Sequence, residues 1–379
     1  MLDTMNAKTP LLLALATLAW AQPEVLINGL EQPQKLILTP GGNLLVTEPN
    51  VKANLGRVSL VSRSGVRRSL FEGLPSGAEV TGGGSGPTAM AIRDRTLYLA
   101  LSSCDAERRG TVPGTSVHNP AGISSPLVAV IVTARFNQSI DAIMGTFKMT
   151  PDQQRILADG GQVELSDGSG ATAMMEVLSR FPVAEPDANA VYRFSNLWGL
   201  ALTPDGATLY VNDASMNSLA RVDTATGRWQ RIMRFAPLRN PTPVGPPVLD
   251  SVPTSVRIYG DQVLVSFLTG FPFIPGTARV LSVNPETRTA ENFINFNTSA
   301  VDILWRDAGG TRPQFFVLEF SQNQSATPAA PGRLVRYDTV QGEVVLTDLR
   351  GPTSLAYDAA TKDLFILEIS GRILRLRLE

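Results

Sequence analysis

One cysteine and one histidine are all that the 379 residues offer of those two types. A lone Cys104 excludes any internal disulfide, so stability has to come from packing. Cys104 reads as a small core residue rather than a nucleophile. A zinc site ordinarily draws several ligands from His and Cys, and one of each does not supply them. Charge is scarce too: 18% of residues are charged and the net charge is −1. No block of like charges is present to attract nucleic acid or an anionic membrane through a long-range field. The one long apolar run near the start, Leu11–Leu18, is too short to span a bilayer. No Gly-rich dinucleotide or phosphate loop and no Gly-x-Ser-x-Gly elbow is found.

Apolar residues are plentiful by contrast, at 43%, and 32 Gly and 27 Pro are spread along the chain. That composition suits a globular protein of many short strands joined by turns. Met5–Ala21 has the form of a secretory leader. Lys8 is a minimal basic region, and Ala19-Trp20-Ala21 is a small-x-small cleavage site. Residues 1–21 are therefore expected to be a signal peptide, with the mature chain secreted or periplasmic.

Internal repetition governs the fold. One unit recurs: a short strand, often opening with Pro-Thr, then a turn, a second apolar strand, and a third strand opening with Arg. First strands are predicted at Pro33–Leu38, Pro87–Ile92, Leu197–Leu202, Pro253–Ile258, Ala300–Leu304 and Pro352–Tyr357. Second strands follow at Leu44–Glu48, Leu97–Leu101, Leu209–Asp213, Val263–Phe267, Phe315–Glu319 and Leu364–Glu368. Third strands open at Arg57, Arg221, Arg279, Arg333 and Arg372, and in the second unit Leu127–Thr133 takes that place. Six such units predict an all-β, six-bladed β-propeller over residues 22–379. The last unit stops at its third strand, and Val25–Leu30 lies ahead of the first. The N-terminal strand is expected to complete the last blade, which removes an open sheet edge.

The second unit is interrupted between residues 106 and 170. Cys104–Ser125 reads as a polar loop and Phe136–Gly170 as a small α/β insert on one face. Its helix is signalled by Thr150 as N-cap, Pro151 at the first position and Gln153 completing a capping box.

A family likeness appears at this point. Asp250-Ser251-Val252-Pro253-Thr254-Ser255-Val256, the stretch Leu268–Val280, Asn196–Ala201 and Pro331–Arg336 resemble the ScyD/ScyE family. The resemblance covers nearly the whole mature chain. It implies an exported propeller akin to the NHL and streptogramin-lyase-like propellers, and it does not imply a reaction.

Propeller sites usually lie on the axis, where first strands converge. One level there is expected to hold Gln34, Thr88, Trp198, Thr254, Val301 and Thr353. The next holds Lys35, Ala89, Gly199, Ser255, Asp302 and Ser354. Lys35 and Asp302 are the only charges in this ring, which is a poor start for calcium. The ligand-binding candidates are therefore Lys35, Thr88, Trp198, Thr254, Asp302 and Thr353, joined by Phe271 and Phe273 of the stiff apolar loop Leu268–Gly276. That loop is read either as an exposed binding patch or as a plug folded over the axis. No catalytic residue, metal or cofactor is assigned. The expected partner is an unidentified small molecule or envelope protein, with no nucleic acid, no membrane span and a monomeric state. The alternative is a metal-assisted lyase or hydrolase at the axis, which would need Lys35, Asp302 and His118 to converge.

Second strands end in Glu48, Asp213, Glu319 and Glu368 where third strands open with Arg57, Arg221, Arg333 and Arg372. The expectation is a repeated ion pair that pins hairpin register, each exposed and contributing about 0–1 kcal/mol. A ring of charge around a polar ligand is the functional alternative.

Overall fold

The computed structural model describes residues 22–111, 116–186, 192–310, 312–338 and 341–378. The leader expected at 1–21 lies outside them. Six antiparallel sheets, each joined to the next in chain order, form the blades of a β-propeller. Their inner strands are Leu36–Leu38, Pro87–Arg93, Leu197–Leu202, Pro253–Tyr259, Ala300–Arg306 and Pro352–Asp358. Second strands such as Leu44–Glu48 and Asp363–Glu368 are buried along their whole length, because each lies between two blades as well as between two strands. The apolar core is accordingly divided into six clusters, one in each gap between neighbouring blades.

Closure follows the expectation. Glu24–Ile27 pairs antiparallel with Arg372–Arg377, so the chain's N-terminal strand is the outer strand of blade 6. Both ends of the described chain share one sheet, and no inner edge is left open.

The insert in blade 2 departs from a small subdomain on one face. Val163–Ser166 is a fifth strand on that blade, outside Thr172–Arg180. Phe147–Lys148 pairs in parallel with Phe71–Glu72 on the outer edge of blade 1. The helix Pro151–Ala158 carries the expected capping box, with Thr150 Oγ1 accepting from Gln153 N and Gln153 Oε1 accepting from Thr150 N. Ile140, Ile143, Phe147, Met149 and Leu157 are all buried in the cluster between blades 1 and 2. The segment thus buttresses two blades, because its apolar residues outnumber what a free-standing loop could hide. The third strand of blade 2 also starts later than expected, at Val130. Leu127–Ala129 is buried but lies ahead of the strand, and apolar content alone does not separate those two states.

Alternating strand direction sorts the connections onto two faces. Turns from second to third strands and links from one blade to the next share one face, called here the loop face.

Candidate functional site

Five inner strands carry a β-bulge at the same place, interrupting pairing between Pro87 and Ala89, Leu197 and Gly199, Pro253 and Ser255, Ala300 and Asp302, and Pro352 and Ser354. The bulged residues are therefore Thr88, Trp198, Thr254, Val301 and Thr353, the level expected to line the axis. A bulge re-aims its side chain, and here it aims it at the next blade. Thr88 Oγ1 donates to Leu197 O at 2.5 Å, Thr254 Oγ1 to Ala300 O at 2.9 Å and Thr353 Oγ1 to Pro33 O at 3.4 Å. These three hydroxyls staple blade to blade. In blade 3 Trp198 replaces the threonine and makes no such bond.

Lys35 fills that break. It leaves blade 1, crosses the axis and donates from Nζ to Thr254 O of the opposite blade at 3.0 Å, with Nζ 5.6 Å from the Trp198 ring centre. Burial pulls its ammonium down to about 8, against a raising effect of Asp302, and Arg257 lowers it further.

Asp302 holds the other half of the hub, and its ion pair is with Arg257 rather than Lys35. Arg257 Nη2 lies 2.8 Å from Asp302 Oδ2. Ser255 Oγ at 2.6 Å, Leu355 N at 2.8 Å and Ser354 Oγ at 3.2 Å also donate to this carboxylate. Burial alone would raise the Asp302 carboxyl. Arg257, Lys35 and these donors outweigh it and hold the group below the usual carboxylate range. Arg257 Nη2 reaches Leu355 O as well, at 2.9 Å, so one cluster ties blades 4, 5 and 6. Sequence reasoning missed Arg257, which stands two residues past the expected level. The signal was available, because a buried carboxylate needs a cation or several donors and Lys35 alone supplies too little.

The pocket at this level holds about 20 Å³, is partly open to solvent, and is lined by Lys35, Met90, Ser255, Arg257, Asp302 and Ser354 among others. That is room for a water or so, since one water takes roughly 10–15 Å³ on this measure. A cavity of about 10 Å³ between blades 2 and 3 is smaller still.

The repeated carboxylates are not exposed pairs. Glu48, Glu319 and Glu368 are buried, and each lies opposite Arg57, Arg333 and Arg372 in register as expected. Each accepts from a backbone N–H of the link entering its own blade: Glu31 N at 2.6 Å, Thr298 N at 2.9 Å and Arg350 N at 2.7 Å. Asp213 does the same with Asn196 N at 2.9 Å, but Arg221 does not pair with it. Arg221 stands three residues further along the hairpin, opposite Tyr210, and reaches Glu286. Ser195 Oγ at 2.6 Å serves Asp213 in place of an arginine, and burial raises that carboxyl.

On the loop face Phe271 and Phe273 stand edge-on to each other, ring centres 6.0 Å apart. Phe271 is 53% exposed and packs its ring against Gly245 of the hairpin between blades 3 and 4. Gly245 has φ +85°, and a Cβ there would come within 2.9 Å of the Phe271 ring. The same crest carries exposed Val244, Val248 and Phe296, and Ser325 Oγ secures Pro272 O at 2.5 Å. The sole imidazole, His118, is also on this face, on the hairpin of Glu107–Arg109 and Ser116–His118, edge-on to Phe194 at 4.9 Å. Among the described residues no group of three or more His, Cys, Asp or Glu is placed to hold a metal ion. No described helix is long and apolar enough to cross a membrane.

Fold and hub together define a six-bladed propeller whose axis is crossed by Lys35, Arg257 and Asp302. Among solved structures, the PQQ-bound aldose sugar dehydrogenase of Streptomyces coelicolor is similar, with TM-score 0.52 and 15% identity over 94% of this chain and 97% of that one. A catalytically inactive form of virginiamycin B lyase of Staphylococcus aureus, with quinupristin, gives TM-score 0.46 and 14% identity over 94% and 99%. At these identities the likeness is one of fold. No family model and no curated protein matches the chain.

Proposed function

We propose that this protein is an exported recognition propeller that binds an uncharged, apolar partner surface through its loop face. The observation that carries the reading is the distribution of exposed apolar residues about a hub crossed by tethering side chains. Fifteen large apolar residues are exposed among those described, and only Val25, Val66, Met144, Ile156, Trp305 and Val344 lie away from the loop face. Meanwhile Lys35, Arg257 and Asp302 are spent on tethers between blades. The ScyD/ScyE-like segments and the leader-like N-terminus support export. The test is capture of partners by the intact protein and by a Phe271→Ala, Phe273→Ala double variant. Loss of capture is expected, and an unchanged set of partners overturns the reading.

A second reading, acid–base chemistry of the lyase or hydrolase kind, has one observation in its favour. Glu107 and His118 stand directly opposite each other on the loop-face hairpin. Burial lifts the Glu107 carboxyl to about 7, with Ser116 opposing and neighbouring Glu79 adding to the rise. Turnover of a lactone and ester panel that disappears in Glu107→Gln would establish it.

A further inference from the structure

We infer that the axial pocket binds a halide-sized monoanion, held between Lys35 of blade 1 and Arg257 of blade 4. The inference is independent of the loop-face reading and goes beyond it.

The first observation is what the tethers leave over. Asp302 accepts six hydrogen bonds: Oδ1 from Ser255 Oγ, Arg257 Nε and Ile303 N, and Oδ2 from Arg257 Nη2, Ser354 Oγ and Leu355 N. A carboxylate offers about four lone-pair sites, so this one is saturated. The Lys35 ammonium has further N–H bonds beyond the one it places on Thr254 O. Arg257 uses Nε and Nη2, while its Nη1 donates to nothing among the described residues. The unused hydrogen-bonding capacity of these three charged groups is therefore all donor.

The second observation is charge. Lys35, Arg257 and Asp302 are the charged residues that line the pocket, so two cations face one carboxylate and one positive charge is in excess. Burial acts against the Lys35 ammonium most strongly, and Arg257 acts against it as a like charge. A second cation in such a place calls for a counter-ion.

The third observation is an orphaned amide. Asn212 is wholly buried, and neither its Nδ2 nor its Oδ1 has a partner among the described residues. It pairs in register with Gly199, a wall residue of the pocket. A Cβ on Gly199 would come within 2.5 Å of Asn212 Oδ1, so the amide stands in the space that this glycine leaves. The buried Nε1 of Trp198, next along the same strand, lacks a partner too. Blade 3 thus offers two further N–H donors at this level. The pocket holds about 20 Å³, which takes an ion of halide size, and its open side gives the ion a way in. A water there would leave the excess charge uncompensated, and a cation would add to it.

The experiment is thermal unfolding at pH 7 and fixed ionic strength, with chloride replacing the larger gluconate ion. Replacing about 0.2 M gluconate is expected to raise the melting temperature of the parent by roughly 2 °C, along a saturating curve. Lys35→Met is expected to lose that dependence, and Lys52→Met, which removes an exposed lysine, to keep it. Bromide, located by its anomalous scattering in crystals grown at a concentration that saturates the curve, is expected between Lys35 and Arg257. A melting temperature indifferent to chloride, a dependence that Lys35→Met retains, or a hub without a bromide peak overturns the inference, and water alone then fills the pocket. Partner capture by the loop face is untouched by each of these outcomes.

Discussion

Lys35 crosses the hub as an ammonium in a place that disfavours charge, and this makes stability depend on pH. Its folded value of about 8 lies below the ordinary 10.5, so between those limits the unfolded chain binds more protons than the folded one. Stability contributed by this group therefore rises with pH through that window, and below about 8 the penalty is felt in full. Lys35→Met keeps the length and removes the charge, while Asp302 retains Arg257. Urea unfolding of Lys35→Met is expected to give equal or greater stability at pH 7 and to lack the rise between pH 8 and 10.5. A loss of several kcal/mol at pH 7 would show that the tether to Thr254 O outweighs the burial of charge. Asp302 runs the other way. Its depressed carboxyl stabilises the fold above the ordinary carboxylate range, and the contribution disappears as pH falls through the folded value. Lys35 and Asp302 were legible in the sequence as hub residues. Their partners were not, because register alone places a Cα and says nothing of how far an Arg or Lys side chain reaches.

The hairpins were the most legible elements, since short apolar or β-branched runs bounded by turn residues act locally. Register opposite Glu48, Glu319 and Glu368 followed directly from strand ends. What sequence spacing concealed was burial, and with it the energy. A surface pair would be worth little, but truncating one side of a buried pair strands the other. Glu319→Ala, which leaves Arg333 and Thr298 N without their acceptor, is expected to cost roughly 3–5 kcal/mol by chemical denaturation. Arg221→Ala, at a more open pair, should stay within about 0.5 kcal/mol. The insert shows the opposite failure. Its helix was readable from Thr150, Pro151 and Gln153, but its place was not, because the parallel pairing of Phe147 with Phe71 spans a sequence distance that no local pattern encodes. Phe147 is buried against Phe71, with ring centres 5.3 Å apart. Phe147→Ala is expected to destabilise by about 3–5 kcal/mol. A change under about 1 kcal/mol would mean that the insert is ornamental.

At the scale of the molecule, six repeats predicted six blades and the N-terminal strand predicted the closure, since both follow from hiding sheet edges and apolar faces. The division of labour between hub and loop face was not readable. Bulges turn the threonines of the repeat away from the axis toward neighbouring blades, and a bulge leaves no mark in a strand-length count. The account stands on a hub whose lysine is held as a tether. Competitive acylation of the lysines at pH 9, mapped by mass spectrometry, tests this most directly. At that pH a Lys35 with a value of about 8 is mostly neutral and would be the fastest to react if reagent reached it. The account predicts that Lys35 is labelled at least roughly tenfold more slowly than exposed Lys52, Lys148 and Lys362. Labelling of Lys35 as fast as those three would mean an open axis, and would return the chemistry of this protein to its hub.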